Sequence, residues 1–184
     1  MPTFPVLTLD TSPADSKPML EQTQQAFSFI PNLIGVMASS PAITEAYLSI
    51  ASIFSKSGLS PTEQQVVLLT ASHFNDCRYC MAAHTAISSM QNIDMSIVQA
   101  IRDDLPIADA KLQALRQFTR LVVENRAWLA DSDVQTFLDA GYEQSHVLDI
   151  LVGVAQKTLS NYTNHLAKTP LDEAFSTVAW QAAK

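Results

Sequence analysis

Helix-start signals recur along this sequence, and they constrain its fold more than any other feature. A serine followed by a proline occurs at positions 12–13, 40–41 and 60–61, and a proline directly after a serine N-cap is a common way to begin a helix. The start at Ser60 is the clearest, because Glu63 completes a capping box. No segment alternates apolar and polar residues between turn signals, as strands do, and glycine occurs only four times. The sequence therefore predicts an all-α protein.

Apolar periodicity defines the helices that follow these signals. The helix after Ser60 contains the run Val66–Leu69, which makes it apolar on nearly every side, so we expect it in the centre of the fold. Two later helices carry an apolar stripe with a 3.6-residue period, formed by Leu112, Leu115, Phe118 and Val122 in one and by Leu148, Leu151, Ala155 and Leu159 in the other. Further helices are predicted at about 12–29, 41–57, 76–90, 94–104 and 131–141, with a helical tail from 171 to 184.

The length allows one domain with a real core or two small helical halves packed together. Residues 66–71 resemble residues 150–155, and each stretch is followed by an asparagine and then a histidine. A duplicated helical hairpin and a chance similarity between two buried helices explain this equally well. We predict a single domain over 1–184, with 1–12 as an extended N-terminal arm, and leave open whether it contains two related halves.

Charge and hydropathy exclude several classes of function. The net charge is −7 and no lysine or arginine cluster exists, so the chain lacks the basic face that nucleic acids and anionic membranes require. The first residues carry no secretory signal, and the longest apolar run is too short to span a bilayer, so we expect a cytoplasmic protein. Apolar residues make up 47% and charged residues 16%. This balance predicts a homo-oligomer, because interface cores are depleted in charge.

The two cysteines of the chain lie three residues apart, and a histidine follows four residues after the second. Neighbours on a helix face are separated by three or four residues, so Cys80 should lie beside both Cys77 and His84. One helical turn also gives the Cα separation that a disulfide needs. In a reducing compartment such a pair is more often redox-active or metal-binding than a structural staple.

Either sulfur has a reason to be the nucleophile, because the thiolate is the reactive form. The positive end of the helix dipole favours Cys77, whereas a nearby imidazole favours Cys80. We favour Cys80 as the attacking thiol with His84 as its base. Cys77 would then resolve the sulfenic acid to a disulfide.

Two other interpretations of these residues remain open. His73, Cys77, Cys80 and His84 supply four ligands, the number that a structural zinc site needs. However, ligands from a single helical turn rarely coordinate a metal ion tetrahedrally. The chain would then be a non-enzymatic helical module. Alternatively, disulfide formation would alter assembly in a redox-sensing interaction protein. Our preferred prediction includes no bound metal and no cofactor.

The pattern Asn75-x-Cys77-x-Tyr79-Cys80-x-x-x-His84, downstream of residues 61–66, resembles the core motif of the carboxymuconolactone decarboxylase superfamily on its alkylhydroperoxidase D (AhpD) branch. The resemblance implies an all-α AhpD-like bundle, an oligomer and a peroxidase that reduces its substrate through a dithiol. It also implies that a dithiol partner, such as a lipoyl-bearing or thioredoxin-like protein, reduces the resulting disulfide.

One position departs from that family pattern. The family usually has a glutamate twelve residues before the first cysteine, where it acts as a proton-relay base, and this chain has Gln65 there. A neutral amide takes up no proton, but it can orient a water molecule or His84 by hydrogen bonding. We therefore include Gln65 with Cys77, Cys80 and His84 among the predicted site residues.

Overall fold

A computed structural model describes residues 4–182, and over this range the chain is all-α, as predicted. Nine α-helices occur in the described range: α1 (Lys17–Phe27), α2 (Asn32–Met37), α3 (Pro41–Phe54), α4 (Pro61–Phe74), α5 (Arg78–Met90), α6 (Met95–Arg102), α7 (Ala110–Glu124), α8 (Asp131–Asp139) and α9 (Gln144–Ala167). Two short 3-10 helices lie at Ala14–Ser16 and Glu173–Val178. No strand occurs among residues 4–182.

Local capping chemistry starts several of these helices where the sequence predicts. Ser60 Oγ accepts a hydrogen bond from the Glu63 backbone N–H at 3.3 Å, and Glu63 Oε2 accepts one from the Ser60 N–H at 2.8 Å. Asp94 Oδ1 accepts from the Ser96 N–H at 2.9 Å and begins α6. Each cap satisfies N–H groups that the first helical turn leaves without a partner.

Helix α4 is the centre of the fold, as its apolar sequence predicts. It packs against α5, α6, α7 and α9, and Val66, Val67 and Leu69 are completely or almost completely buried. The apolar stripe of α7 faces this core, where Leu115 and Phe118 are buried. Phe118 stacks on Phe137 of α8 with a centroid separation of 4.3 Å. The α7 periodicity therefore identified the buried face correctly.

Helix α9 has the opposite arrangement. The side chains of Leu148 and Leu151, on its predicted apolar stripe, are 65% and 40% exposed. The buried side begins with Ile150 and continues with Gly153, where an added Cβ would lie 2.8 Å from both Phe54 Cζ and Val67 Cγ1. Beyond Gly153 the buried positions are polar, and they are Gln156, Lys157, Ser160, Asn161 and Asn164. The stripe read from the sequence is thus the outer face of α9.

Segments near both ends of the described range pack against the middle of the fold. Leu7 N–H donates to the Gly35 carbonyl at 3.0 Å. Asp172 accepts from the Asn32 N–H at 3.0 Å and from the Tyr79 hydroxyl at 2.5 Å. The predicted helical tail is wrong outside Glu173–Val178, because residues 171–172 and 179–182 are not helical. Residues 1–3 of the predicted arm and 183–184 of the tail lie outside the described residues.

None of the helices described between residues 4 and 182 has the length and apolar character needed to cross a membrane. The single-domain boundaries and the suggested pair of related halves stay predictions.

Candidate active site

The turn between α4 and α5 places the two cysteines at the start of a helix. Asn75 ends α4, and Asp76 adopts a left-handed backbone conformation with φ of 49°, which aspartate tolerates better than most residues. This reverses the chain so that Cys77 becomes the N-cap of α5, and its N–H donates to the Ser72 carbonyl at 2.9 Å. Cys80 follows in the first turn of α5, one turn from Cys77.

Polar side chains from α9 surround both sulfurs. The Asn164 Nδ2 amide donates to Cys77 Sγ at 3.6 Å and to Cys80 Sγ at 3.3 Å. Ser160 Oγ lies 3.6 Å from Cys80 Sγ. Asn161 is held in place because its Oδ1 accepts from Asn75 Nδ2 at 2.9 Å. The sulfurs are therefore buried among hydrogen-bonding groups rather than in hydrocarbon.

A cavity of about 170 Å³ leads to one of the two sulfurs. Cys80 lines it together with His84 and Lys157, whereas Cys77 lies behind the wall. The remaining lining is mainly apolar or aromatic and comes from Thr23, Phe27, Pro31, Leu33, Ile34, Tyr47, Leu48, Ala51, Tyr79, Ala83, Ile87, Gln156 and Phe175. A small, largely apolar molecule that enters this cavity would therefore meet Cys80 first.

A chain of hydrogen bonds runs behind Cys80 from α4 through α5 to α9. Gln65 Oε1 lies 2.9 Å from His84 Nδ1, and Lys157 Nζ lies 2.9 Å from His84 Nε2. Gln65 Nε2 donates to Gln91 Oε1 at 3.3 Å, which directs the amide oxygen toward the imidazole. His84 therefore donates a hydrogen bond from Nδ1 to Gln65 and accepts one at Nε2 from Lys157.

The two thiols differ in acidity for identifiable reasons. Burial alone would raise the pKa of Cys80, but the Cys77 thiol, the Lys157 ammonium and the Ser160 and Asn161 side chains hold that pKa well below its ordinary value. The hydrogen bond with Cys80 and burial raise the pKa of Cys77. Cys80 is therefore the more acidic thiol of the pair, and the nucleophile and resolving roles of the two sulfurs stay predictions.

Burial and neighbouring charges also shift the pKa values of three groups near Cys80. Burial and the neighbouring Lys157 charge lower the pKa of His84 well below its ordinary value, so the imidazole is neutral. Burial would lower the pKa of Lys157, but its electrostatic interaction with nearby acidic groups, Cys80 foremost, raises that pKa overall. Burial raises the pKa of Tyr47, which keeps this phenol protonated at the cavity wall.

The structure brings four sequence-predicted residues together and separates a fifth. Cys77, Cys80, His84 and Gln65 lie in one site, but the ring of His84 contacts Lys157, which lines the same cavity as Cys80, where we expected a direct sulfur–imidazole contact. His73 instead packs on Trp180, with ring centroids 5.3 Å apart. Between residues 4 and 182, no cluster of three or more histidine, cysteine, aspartate or glutamate side chains has the arrangement to hold a metal ion.

Sequence reasoning missed the contribution of α9. Lys157, Ser160, Asn161 and Asn164 are spaced i, i+3, i+4 and i+7, the spacing of a single helix face, and all are buried. This polar periodicity was a usable signal. It was overlooked because a lysine in a helix normally extends its charged end into solvent.

Residues 41–120 match the model of the carboxymuconolactone decarboxylase family. Among functionally curated proteins, none matches this sequence significantly.

Solved structures share this fold over nearly the whole chain. The alkylhydroperoxidase AhpD core of a peroxidase-related protein from Ralstonia eutropha JMP134 is 22% identical, with a TM-score of 0.83 over 94% of this chain and 93% of that one. A peroxidase-related protein from Silicibacter sp. TM1040 is 19% identical, with a TM-score of 0.79 over 95% and 94%. The debrominase Bmp8 is 16% identical, with a TM-score of 0.74 over 89% of each chain.

Proposed function

We propose that this chain belongs to the carboxymuconolactone decarboxylase and alkylhydroperoxidase D-like superfamily, whose family model matches residues 41–120, and that it is a thiol-dependent peroxidase of the alkylhydroperoxidase D type. The observation that carries the proposal is the asymmetry of the two sulfurs. Cys80 lines the cavity and has a lowered pKa, whereas Cys77 lies one helical turn behind it with a raised pKa.

These positions support a two-step oxidation. The Cys80 thiolate attacks the terminal oxygen of the peroxide, so that an S–O bond forms, the O–O bond breaks, and the leaving oxygen takes a proton to depart as an alcohol or water. The Cys77 thiol then attacks the sulfenic sulfur, which forms the disulfide and releases water. A dithiol partner, such as a lipoyl-bearing or thioredoxin-like protein, would reduce the disulfide by thiol–disulfide exchange.

The cavity supports a small organic hydroperoxide as substrate. A buried apolar cavity of about 150 Å³ accepts benzene, and the cavity at Cys80 has a similar volume of about 170 Å³. One polar group on its wall needs a partner: no residue in the described range donates to the buried Gln156 Oε1. A hydroperoxide O–H would supply that hydrogen bond while the alkyl group contacts the apolar wall.

The proposal is tested by thiol titration and turnover of single variants. After stoichiometric peroxide we expect both thiols of the reduced protein to disappear together. Cys77→Ser should consume peroxide once and stop at a sulfenic acid, and Cys80→Ser should lose turnover altogether. The matched control is His73→Gln, which alters a residue of the same segment outside the site and should leave turnover unchanged. Full activity in Cys80→Ser would reject the assignment.

A second candidate is reductive dehalogenation of a small aromatic molecule. The debrominase Bmp8 shares this fold and has also been solved with 2,3,4-tribromopyrrole. The cavity of this chain has aromatic walls, including Phe27 and Tyr47, and Gln156 Oε1 would equally accept an N–H donor. Bromide release from a brominated pyrrole in the presence of dithiol would favour this candidate, and peroxide turnover without bromide release would exclude it.

A further inference from the structure

Lys157 is a buried ammonium group without a carboxylate partner. Its side chain is 1% exposed. Within residues 4–182 the ion pairs with carboxylates involve Lys111, Arg116 and Arg120, so none involves Lys157. Its Nζ donates to His84 Nε2, which is a neutral acceptor. A buried charge left without a counter-charge is strongly destabilising, so we expect a nearby group to supply negative charge.

The titratable groups that face Lys157 are few. They are Cys80 and His84 from α5, its N-cap Cys77, and Tyr47 from α3. His84 supplies no anion, and burial keeps Tyr47 protonated. Cys80 is the strongest of the negative influences on Lys157, ahead of Tyr47 and Cys77. The ammonium of Lys157 and the sulfur of Cys80 also line the same cavity.

We propose that Lys157 and Cys80 form an ammonium–thiolate pair in the reduced protein, and that Lys157 donates its proton to the oxygen that leaves when Cys80 attacks a peroxide. The proton-donating step rests on the proposed peroxidase function. Lys157 thus takes over the proton relay that the family assigns to the carboxylate at the position of Gln65.

The neutral residue at position 65 fits this arrangement. Gln65 holds His84 through Nδ1 and leaves Nε2 to orient the ammonium. A carboxylate at position 65 would place a second negative charge two side chains from Cys80 and would compete with it for the positive charge of Lys157. The amide positions the imidazole without that competition.

Atoms and charges balance around the cycle. Attack by the thiolate forms the S–O bond, and the leaving oxygen takes a proton from Lys157, which gives a sulfenic acid, an alcohol and a neutral amine. The Cys77 thiol then closes the disulfide and releases water. Reduction by a dithiol partner returns two protons, one to Cys77 and one to Lys157, and restores the thiolate on Cys80. The oxidised protein therefore holds Lys157 as a neutral amine, which removes the unpaired buried charge.

The test separates the charge of Lys157 from its acidity. In a Cys77→Ser background, the rate of Cys80 alkylation by iodoacetamide is followed against pH, and a single turnover with an organic hydroperoxide is timed beside it. Lys157→Met should move the midpoint of alkylation to higher pH by about one unit or more, a tenfold change in the acid dissociation constant per unit. Lys157→Arg should retain a low midpoint, because it keeps the charge.

Turnover should respond differently in the two variants. Lys157→Arg should slow the single turnover by about 100-fold, the usual scale for loss of a general acid, because a guanidinium does not release its proton. The matched control is Lys111→Met, which removes the same charge from a half-exposed ion pair and should change neither measurement. An unchanged alkylation midpoint in Lys157→Met would overturn the ammonium–thiolate pair.

The outcomes also separate this inference from the peroxidase proposal. A low midpoint that rises in Lys157→Met, in a protein that turns over no peroxide, would support the pair and reject both the peroxidase function and the proton-donating step. Rapid peroxide turnover that is unaffected by Lys157→Arg would support the peroxidase and overturn the assignment of Lys157 as proton donor.

Discussion

Helices α7 and α9 look alike in the sequence, since each carries a regular apolar stripe. In the structure the stripe of α7 faces the core, whereas the stripe of α9 faces outward. In α7 the apolar side faces the core and Arg120 faces solvent. In α9 the buried side carries Lys157 and Asn164, while Leu148 and Leu166 are 65% and 75% exposed. The buried face of α7 is thus mainly apolar, with Arg116 and Thr119 as its polar members, whereas that of α9 is polar beyond Gly153.

The difference reflects what the buried face of each helix packs against. Helix α7 packs on α4 and contributes apolar burial, the main stabilising term of a fold. The second half of α9 packs against two sulfurs and an imidazole, and these need hydrogen-bond partners because buried polar groups without them are costly. The comparison predicts that substitutions in α7 change stability most and substitutions in α9 change thiol chemistry most.

The largest expected effect on stability lies in α7. Leu115→Ala should lower the free energy of unfolding by about 2–5 kcal/mol, because it leaves a cavity in the fully buried core. Urea unfolding of the reduced protein measures the change. The matched control is Leu151→Ala on the outer face of α9, which should stay within about 0.5 kcal/mol of the parent. Equal losses in both variants would contradict the opposite orientation of the two helices.

Asn164 is the corresponding test on the buried face of α9. Asn164→Ala removes the amide that donates to both sulfurs. A hydrogen bond to a charged group contributes about 1.5–3 kcal/mol, so the pKa of Cys80 should rise by about one unit or more. Iodoacetamide alkylation at neutral pH should slow accordingly. Stability should fall less than in Leu115→Ala, because the buried Oδ1 of Asn164, which lacks a partner among residues 4–182, is removed as well.

Tyr162→Phe, on the exposed side of the same helix, serves as the control for Asn164 and should leave the alkylation rate unchanged. Alkylation in Asn164→Ala at the parent rate would show that the amide does not stabilise the thiolate.

The lowered pKa of Cys80 makes stability depend on pH with a defined sign. A group whose pKa is depressed in the folded state stabilises that state above its unfolded pKa, about 8.5 for a thiol, and loses this contribution as pH falls through the folded pKa. The stability of the reduced protein relative to Cys80→Ser should therefore decrease as pH falls from about 8.5 toward acid. Urea unfolding of both proteins across this range checks the prediction, and a difference that grows toward acid pH would contradict it.

The outer face of α9 gives the smallest expected change in stability. The double variant Leu148→Gln, Leu166→Gln should unfold with nearly the parent free energy, because exposed positions contribute little. The sequence predicts a homo-oligomer, and this exposed apolar face suits a second copy of the chain as its partner. Sedimentation velocity should therefore detect weaker self-association in the double variant, with Lys168→Gln as a polar surface control. Identical association of parent and variant would count against this face as the interface.

The parts of the fold that depend on nearby residues were predictable from the sequence. The capping box at Ser60 and the N-cap at Asp94 lie within three residues of the groups they satisfy. The α7 stripe was equally reliable, because Leu115, Phe118 and Val122 of that stripe lie in the apolar core. The cysteines and His84 were found together for the same reason, since one helix turn fixes their spacing.

Features that depend on distant packing were not predictable from local patterns. The orientation of α9 follows from Gly153 fitting against Phe54 and Val67 and from what its polar side meets, and neither is encoded within the helix. Lys157 was missed because only the tertiary structure places its ammonium against His84 and in the same cavity as Cys80. The sequence predicted that Gln65 could orient His84 by a hydrogen bond, but it did not predict the contact of His84 with Lys157.

The sequence distance between the cysteines and their polar neighbours has a consequence for the newly made protein. Ser160 and Asn164 lie 80 to 87 residues after the sulfurs they contact. During synthesis the N-terminal part of a chain emerges first, so Cys77 and Cys80 leave the ribosome long before α9 exists. Until that helix docks, both are ordinary thiols, largely protonated at neutral pH. The thiols of the unfinished chain are therefore poor targets for oxidants, and we expect Cys80 to become reactive only when folding is complete.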